Sequence, residues 1–418
     1  MRSIRELSSE LDFTTFVEIV SNAYPGFNIE TEEQKKRSVE NFMKAHKENP
    51  FVTLYGVFDE DKILAGMRYH DFNMNLLSTK IKVAGIGLIA VDLLHKKEKV
   101  AKTILTNFIE HYRNLGVSMV MLYPFNPEFY KKMGFGFGTS MSQYKVKPNN
   151  LPKGNSKSNI SHINKEDASK LVDCYARIYE KTNGLIEKYE REFQLIFNNP
   201  KSKVAVYEKD NEIKGYTVYE FKSSDENNIF TNDIVVNQLL FEDQESFMEL
   251  MTFLNSQSDQ IRQIIFNIQD EDFRYALEDP RNDSNNILTP VYHECSTQGT
   301  GIMYRVINTK LVLSELKNHN FNNESCRVKI TIKDNFVDDN NGSIVVHFNN
   351  GFATIESDKE YDVEIRLDIA DFSSLITCAV SFNSLYKYGK AFISDESYLK
   401  TVNNIFASDE KPICFTMF

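Results

Sequence analysis

The sequence predicts a mixed α/β fold of the α+β class, laid out as three successive domains. Three observations lead there. Helical and strand periodicities interleave through the first half of the chain. A hairpin pattern recurs at domain-sized spacing, with Gly66 and Gly215 standing 149 residues apart. From about Gly301 the order changes to runs of strands followed by helices, the mark of an α+β unit. At roughly 100 to 200 residues per domain, the 418 residues divide into expected domains 1–148, 149–300 and 301–418.

The elements follow in order. Ser3 to Leu7 reads as a strand. Ser9 then offers a helix cap with Asp12 three residues on, and Phe13, Phe16, Val17 and Val20 repeat at helical spacing until Pro25-Gly26. Glu32 to Lys47 is a second helix with Val39, Phe42 and Met43 on one side. Val52–Phe58 and Ile63–Phe72 form a hairpin around the turn Asp59-Glu60-Asp61. The run Ile81–Val91 is β-branched and small, as a buried central strand should be. Val100, Ile104, Leu105, Phe108 and Tyr112 share a helical face that Gly116 closes, and Val117–Tyr123 is another strand. The polar stretch Asn149–Ser158 reads as a linker. Beyond it the helical Glu166–Thr182 and the hairpin around Asp210-Asn211 repeat the earlier order, so the second domain reads as a duplicate of the first. In the last third, Met303–Ile307, Arg327–Ile332, Gly342–Phe348 and Gly351–Glu356 are strand-like, Leu311–Lys317 is a short helix, and Ile369–Leu385 is helical.

Composition narrows the function. A net charge of −11 argues against a general nucleic-acid binder, whose affinity comes from Lys and Arg on phosphates, and favours cationic small molecules or peptides. Cys174, Cys295, Cys326, Cys378 and Cys414 include no CxxC pair and read as reduced thiols in a cytoplasm. The start, Met1-Arg2-Ser3-Ile4-Arg5-Glu6-Leu7, has no apolar signal core, and the longest apolar runs are strand-sized. No membrane span and a cytoplasmic location are expected. The eight histidines show no metal-ligand spacing, so no metal is expected.

The chemistry concentrates where the strand ending at Val91 runs through Asp92-Leu93-Leu94-His95-Lys96-Lys97-Glu98-Lys99 into the helix at Val100. Amides at a helix start bind anions, and flanking lysines add charge, so this turn suits a pyrophosphate. Equally, it reads as a solvated Lys-rich helix start.

The order strand, two helices, three-stranded meander, strand, basic turn, helix, strand resembles the GNAT acetyltransferases. In them the basic turn binds the pyrophosphate of acetyl-CoA. Their usual Arg/Gln-x-x-Gly-x-Gly/Ala is here Lys96-Lys97-Glu98-Lys99-Val100-Ala101, with Lys99 where the first glycine is expected. Glu128-Phe129-Tyr130-Lys131-Lys132-Met133-Gly134-Phe135-Gly136 resembles the family's FYxKxGF segment, whose tyrosine protonates the departing thiolate. Val363–Leu375 looks like a sterol-carrier-protein-type domain. The whole layout, tandem GNAT domains followed by that domain, resembles the Eis (enhanced intracellular survival) acetyltransferases.

That resemblance implies acetyl-CoA as co-substrate, Tyr130 as general acid, and the terminal carboxylate of Phe418 as general base. It implies that Ile89 and Val91 pair with the pantetheine and that Lys96, Lys97, Lys99 and Val100 hold the pyrophosphate. It also implies aminoglycoside, polyamine or lysine-bearing acceptors, an antibiotic-resistance role, and a homo-oligomer, often a hexamer. The second copy runs from Asp233–Gln238 into Leu239–Asp243 without basic residues and reads as a domain without cofactor. Two other readings stand beside this one. The first is a non-catalytic lipid- or protein-binding module of the same architecture; the second is an acetyltransferase whose substrate is a protein.

Overall fold

A computed structural model describes residues 2–224, 230–356 and 360–418. The first domain opens with β1 (Arg2–Glu6), α1 (Glu10–Ala23) and α2 (Glu32–Glu48). Ser9 Oγ accepts from the Asp12 amide at 3.1 Å while Asp12 accepts from the Ser9 amide at 3.2 Å, closing the expected capping box. Thr31 and Gln34 do the same for α2. The meander β2 (Val52–Asp59), β3 (Lys62–Leu76) and β4 (Thr79–Val91) follows, then α3 (Val100–Asn114), β5 (Met119–Leu122), α4 (Pro127–Lys131) and the short β6 (Gly136–Phe137). Gly66 on β3 leaves room for α1: a Cβ there would lie 2.2 Å from the Phe16 ring.

The second domain comprises β7 (Met141–Val146), β8 (Ile160–His162), α5 (Ala168–Lys181), α6 (Glu190–Asn198), β9 (Lys203–Lys209), β10 (Glu212–Ser223), β11 (Asn232–Phe241), α7 (Gln244–Asn255) and β12 (Ile261–Ile268). The small hairpin β13 (Ile287–Leu288) and β14 (Tyr292–His293) and the strand β15 (Ser296–Gly299) complete it. The chain continues through β16 (Met303–Val306), α8 (Thr309–Glu315), β17 (Cys326–Lys333), β18 (Gly342–Asn349), β19 (Phe352–Glu356), β20 (Val363–Asp368), α9 (Ile369–Ile376), α10 (Phe382–Lys387), β21 (Ala391–Ile393) and α11 (Leu399–Ile405).

The sheets reveal the duplication and its complication. The first runs β1-β2-β3-β4-β5-β16-β6, and the second runs β8-β9-β10-β11-β12-β7-β15. Each has five strands in chain order, an antiparallel sixth supplied from across the expected border, and a short seventh. Thus β7 precedes residue 149 yet belongs to the second sheet, while β16 follows residue 300 yet lies in the first. Polar linkers mark where the chain is exposed, and they do not say which sheet the next strand joins.

The third domain is a five-stranded sheet, β19-β18-β17-β20-β21. Its expected long helix is two, because Cys378 turns left-handed at φ 63° and Ser381 starts α10 with a new cap. Helix α9 is buried on every side and packs on β6 and β16 of the first sheet. Below it, Arg305 of β16 donates to both oxygens of Asp334 at 3.0 and 2.9 Å, with neither side chain exposed. The last residues cross the second domain, where the Ile413 amide bonds the Asn183 carbonyl at 2.8 Å. They end in the first domain, where Tyr123 Oη donates to the Thr416 carbonyl at 3.2 Å.

Candidate active site

Strands β4 and β5 are parallel, and they pair only over Val83–Gly85. Beyond Gly85 β4 continues six residues with no β5 partner. A bulge distorts it there: on β3, Gly66 and Arg68 oppose Ala90 and Gly87, and the extra residue places Leu88 at φ 50°. Unpaired main chain on a central strand is a place for a ligand to pair as a strand does.

The turn after β4 brings cations and open main-chain amides together. Asp92 Oδ1 accepts from the Leu94 amide at 2.8 Å and turns the chain toward α3. Lys97 and Lys99 stand at φ 68° and 62°, the left-handed region that favours glycine. Lys99 is thus a side-chain-bearing residue in the conformation expected of the missing glycine. It is the N-cap of α3 and makes no side-chain cap bond, so the first-turn amides have no side-chain acceptor. The acid of the turn, Glu98, is neutralised by Arg2 and approached by His95 Nδ1 at 3.4 Å, which holds its carboxyl below the usual range. Among the described residues, Lys96, Lys97 and Lys99 have no ion-pair partner. The corresponding start of α7 is acidic: Glu242 pairs with Arg177 at 2.7 Å, and Asp243 already caps the Ser246 amide at 2.8 Å.

A cleft of about 550 Å³ gathers Ile89, Val91, Lys96, Lys97, Lys99 and Val100 with Tyr130. Asn126 caps α4 and carries Tyr130 to it, the ring edge-on to Phe129 at 5.2 Å and to Phe135 at 6.0 Å. Burial first, and the neighbouring Tyr24 second, push the Tyr130 phenol up to about 12. Tyr24 was not singled out in the sequence. Its Oη donates to the Ile89 carbonyl at 2.7 Å, so that carbonyl is available to a pantetheine only as a shared acceptor.

Phe418 lies outside this cleft, lining a second one of about 870 Å³. Its ring packs on His70 (5.4 Å), Phe72 (5.3 Å) and Tyr123 (5.4 Å). Its carboxyl group faces Gly87, two residues before Ile89. Arg68 Nε donates to His70 Nε2 at 2.8 Å; burial, then the Arg68 charge, lower His70 to about 3, so the imidazole is neutral. Arg68, His70 and Phe72 alternate along β3 and share a face, a period-two signal hidden in a strand buried along most of its length. Among the described residues, no three His, Cys, Asp or Glu side chains converge on a metal position, and no helix is long and apolar enough to cross a membrane.

The chain matches family models for an acetyltransferase (GNAT) domain over residues 3–138, a second such domain over 184–306 and a sterol carrier protein domain over 312–415. None of the curated proteins compared matches it in sequence. Among solved structures it is similar to the GCN5-related N-acetyltransferase from Anabaena variabilis, 14% identical with TM-score 0.81, each chain covered in full at 100%. It is equally similar to that from Kribbella flavida, at 14% identity and TM-score 0.80, covering 100% of this chain and 98% of that one. Eis1 from Mycobacterium abscessus is 15% identical with TM-score 0.77 and 100% of both chains covered. At these identities the likeness is one of fold.

Proposed function

Starting from a chain that belongs to the GNAT acetyltransferases and carries a sterol carrier protein domain, we propose that it acetylates a primary amine with acetyl-CoA. Tyr130 serves as general acid and the Phe418 carboxylate as general base. One observation carries this reading. Tyr130 and the Phe418 carboxyl approach the same unpaired stretch of β4 from two clefts, the carboxyl at Gly87 and the phenol in the cleft of Ile89.

Lys96, Lys97, Lys99 and the open amides at Val100 would hold the pyrophosphate, and the free edge near Ile89 and Val91 the pantetheine. Acetyl-CoA bound there supplies a thioester activated for attack. The Phe418 carboxylate takes the proton from the attacking amine, whose lone pair then forms the new C–N bond. Tyr130, kept protonated by its raised pKa, holds its hydroxyl proton for the sulfur as the C–S bond breaks. A phenol near 12 is a weaker acid than an ordinary thiol near about 8.5, so it acts chiefly as a strong hydrogen-bond donor to the developing thiolate. Aminoglycosides, polyamines and lysine-bearing peptides are the acceptors the family likeness suggests. A homo-oligomer working in the cytoplasm belongs to the same reading.

The test compares CoA release from acetyl-CoA by the untagged protein and by a variant with two residues added after Phe418. Turnover that falls about 100-fold on extension is the expected result. Unchanged turnover overturns the carboxylate base, and no turnover with any amine overturns the enzyme reading.

A further inference from the structure

We propose that the acceptor amine carries a carboxylate on the same molecule and that Arg68 is the residue that holds it. The inference rests on the acetyl-transfer reading for its chemistry and goes beyond it in naming the acceptor's charge. It starts from the ion pairs of the 870 Å³ cleft beside Phe418. The acids there all accept hydrogen bonds, Glu192 from the Tyr189 amide at 2.9 Å, and Glu187 is paired with a cation. Glu187 accepts from Lys80 Nζ at 2.6 Å, Asn73 Nδ2 at 2.8 Å and Tyr189 Oη at 2.7 Å, and Asp71 accepts from Tyr112 Oη at 2.8 Å.

Of the five cations there, Lys44 pairs with Glu48 at 3.9 Å and Arg191 donates to the Glu48 carbonyl at 2.9 Å. Among the described residues, Arg68, Lys82 and Lys188 have no carboxylate within ion-pairing distance, the Phe418 carboxyl included. Lys188 Nζ instead rests 4.9 Å over the Tyr175 ring, with only the Gln238 amide oxygen 3.4 Å away. Arg68 is the most constrained of the three. It is half-buried, and its one hydrogen bond places Nε on the neutral His70 at 2.8 Å, which leaves the paired Nη edge for a ligand. A partly desolvated guanidinium without an anion is unfavourable, and its planar fork matches a carboxylate with two parallel hydrogen bonds. A polycation would gain nothing from that guanidinium, whereas a carboxylate on the acceptor would pair with it. The cleft that the family likeness would fill with a cationic antibiotic is built for an amine whose far end is negative.

A matched trio and a matched pair of small amines test this on the native protein: 6-aminohexanoate, 6-aminohexanamide and 1,6-diaminohexane, and lysine against lysinamide. Turnover is followed by CoA release, and binding of the N-acetylated acids and amides by calorimetry, which needs no catalysis. The acids should exceed their amides about tenfold or more in kcat/KM and in affinity, and the diamine should be poorest. In Arg68→Gln that preference should collapse, the rise falling on KM, and Arg68→Lys should restore part of it. Should the variant fail to fold, the acid-to-amide ratio of the native protein decides alone. Amides or diamines matching or beating the acids in both assays overturns the inference while leaving acetyl transfer in place. Acids that bind preferentially with no amine turned over support it and instead sink the acetyl-transfer reading.

Discussion

Gly87 is a glycine because Phe418 fills the place a side chain would take: a Cβ there would lie 2.6 Å from the Phe418 carboxyl carbon and 2.7 Å from its oxygen. The two residues are 331 apart in sequence and meet where β4 loses its partner strand. Gly87→Ala should therefore displace the carboxyl, lowering kcat about tenfold or more while costing about 1–3 kcal/mol in stability. CoA-release kinetics beside a urea titration would separate the two effects. Full activity in a folded Gly87→Ala protein would count against the carboxylate as base.

Tyr130→Phe keeps the ring contacts with Phe129 and Phe135 and removes only the hydroxyl. We expect kcat to fall about 100-fold with acetyl-CoA affinity unchanged within about twofold. Because the phenol is pushed up to about 12, it remains protonated up to strongly alkaline pH. Native kcat should show no alkaline loss from this group below about pH 10. An alkaline limb near neutrality that disappears in Tyr130→Phe would contradict this.

Lys99→Gly relieves a left-handed residue at φ 62° and removes one cation. The backbone gain should raise stability by about 1 kcal/mol. The lost charge should weaken acetyl-CoA binding only a few-fold if the backbone amides dominate the grip. Replacing Lys96, Lys97 and Lys99 together with Gln should weaken it further and flatten its salt dependence. Calorimetry at two ionic strengths reads both.

His70 sets an acid limit on stability. Its folded pKa is lowered to about 3 from an ordinary value of 6.5, by burial and by Arg68. The unfolded chain thus takes up a proton near pH 6.5 that the folded chain refuses, so this contribution is full above pH 6.5 and drains as pH falls toward 3. The slope approaches about 1.4 kcal/mol per pH unit. Unfolding titrations between pH 7 and 4 should show it, and His70→Gln should flatten that part of the curve.

Asp334→Asn would leave Arg305, wholly buried, with a neutral partner. A loss of about 3–5 kcal/mol is expected. Since Arg305 is on β16 and Asp334 follows β17, thermal unfolding should show the first and third domains loosening together. A Tm within 1–2 °C of the native value would show that the pair contributes little.

Much of this was legible in the sequence because it is local. Ser9 with Asp12 and Asp59-Glu60-Asp61 each announce an element through their nearest neighbours. The basic turn likewise shows itself as a break in period between Val91 and Val100. What stayed hidden is what depends on distant chain. Nothing in Met141–Val146 or Met303–Val306 says which sheet it completes, since an alternating pattern fixes a strand's face and not its partner. Cys378 gave no sign of its left-handed turn, so one helix was expected where two stand. Arg68 and His70 looked like strand residues because their meaning lies in what faces them, and Tyr24 acts through a main-chain carbonyl 65 residues away. Lys99 kept the glycine's shape without the glycine, which no reading of side-chain type could foresee.

The exchanged strands bear on inheritance. Each seven-stranded sheet holds in its sixth place a segment from across the expected border, β16 from beyond the second domain in one and β7 from the end of the first in the other. A genetic crossover that lifts out either repeat takes the wrong segment with it and leaves a slot beside the central parallel pair. The second repeat, acidic where the first is basic at the matching helix start, leads directly into the strand that completes its neighbour's sheet.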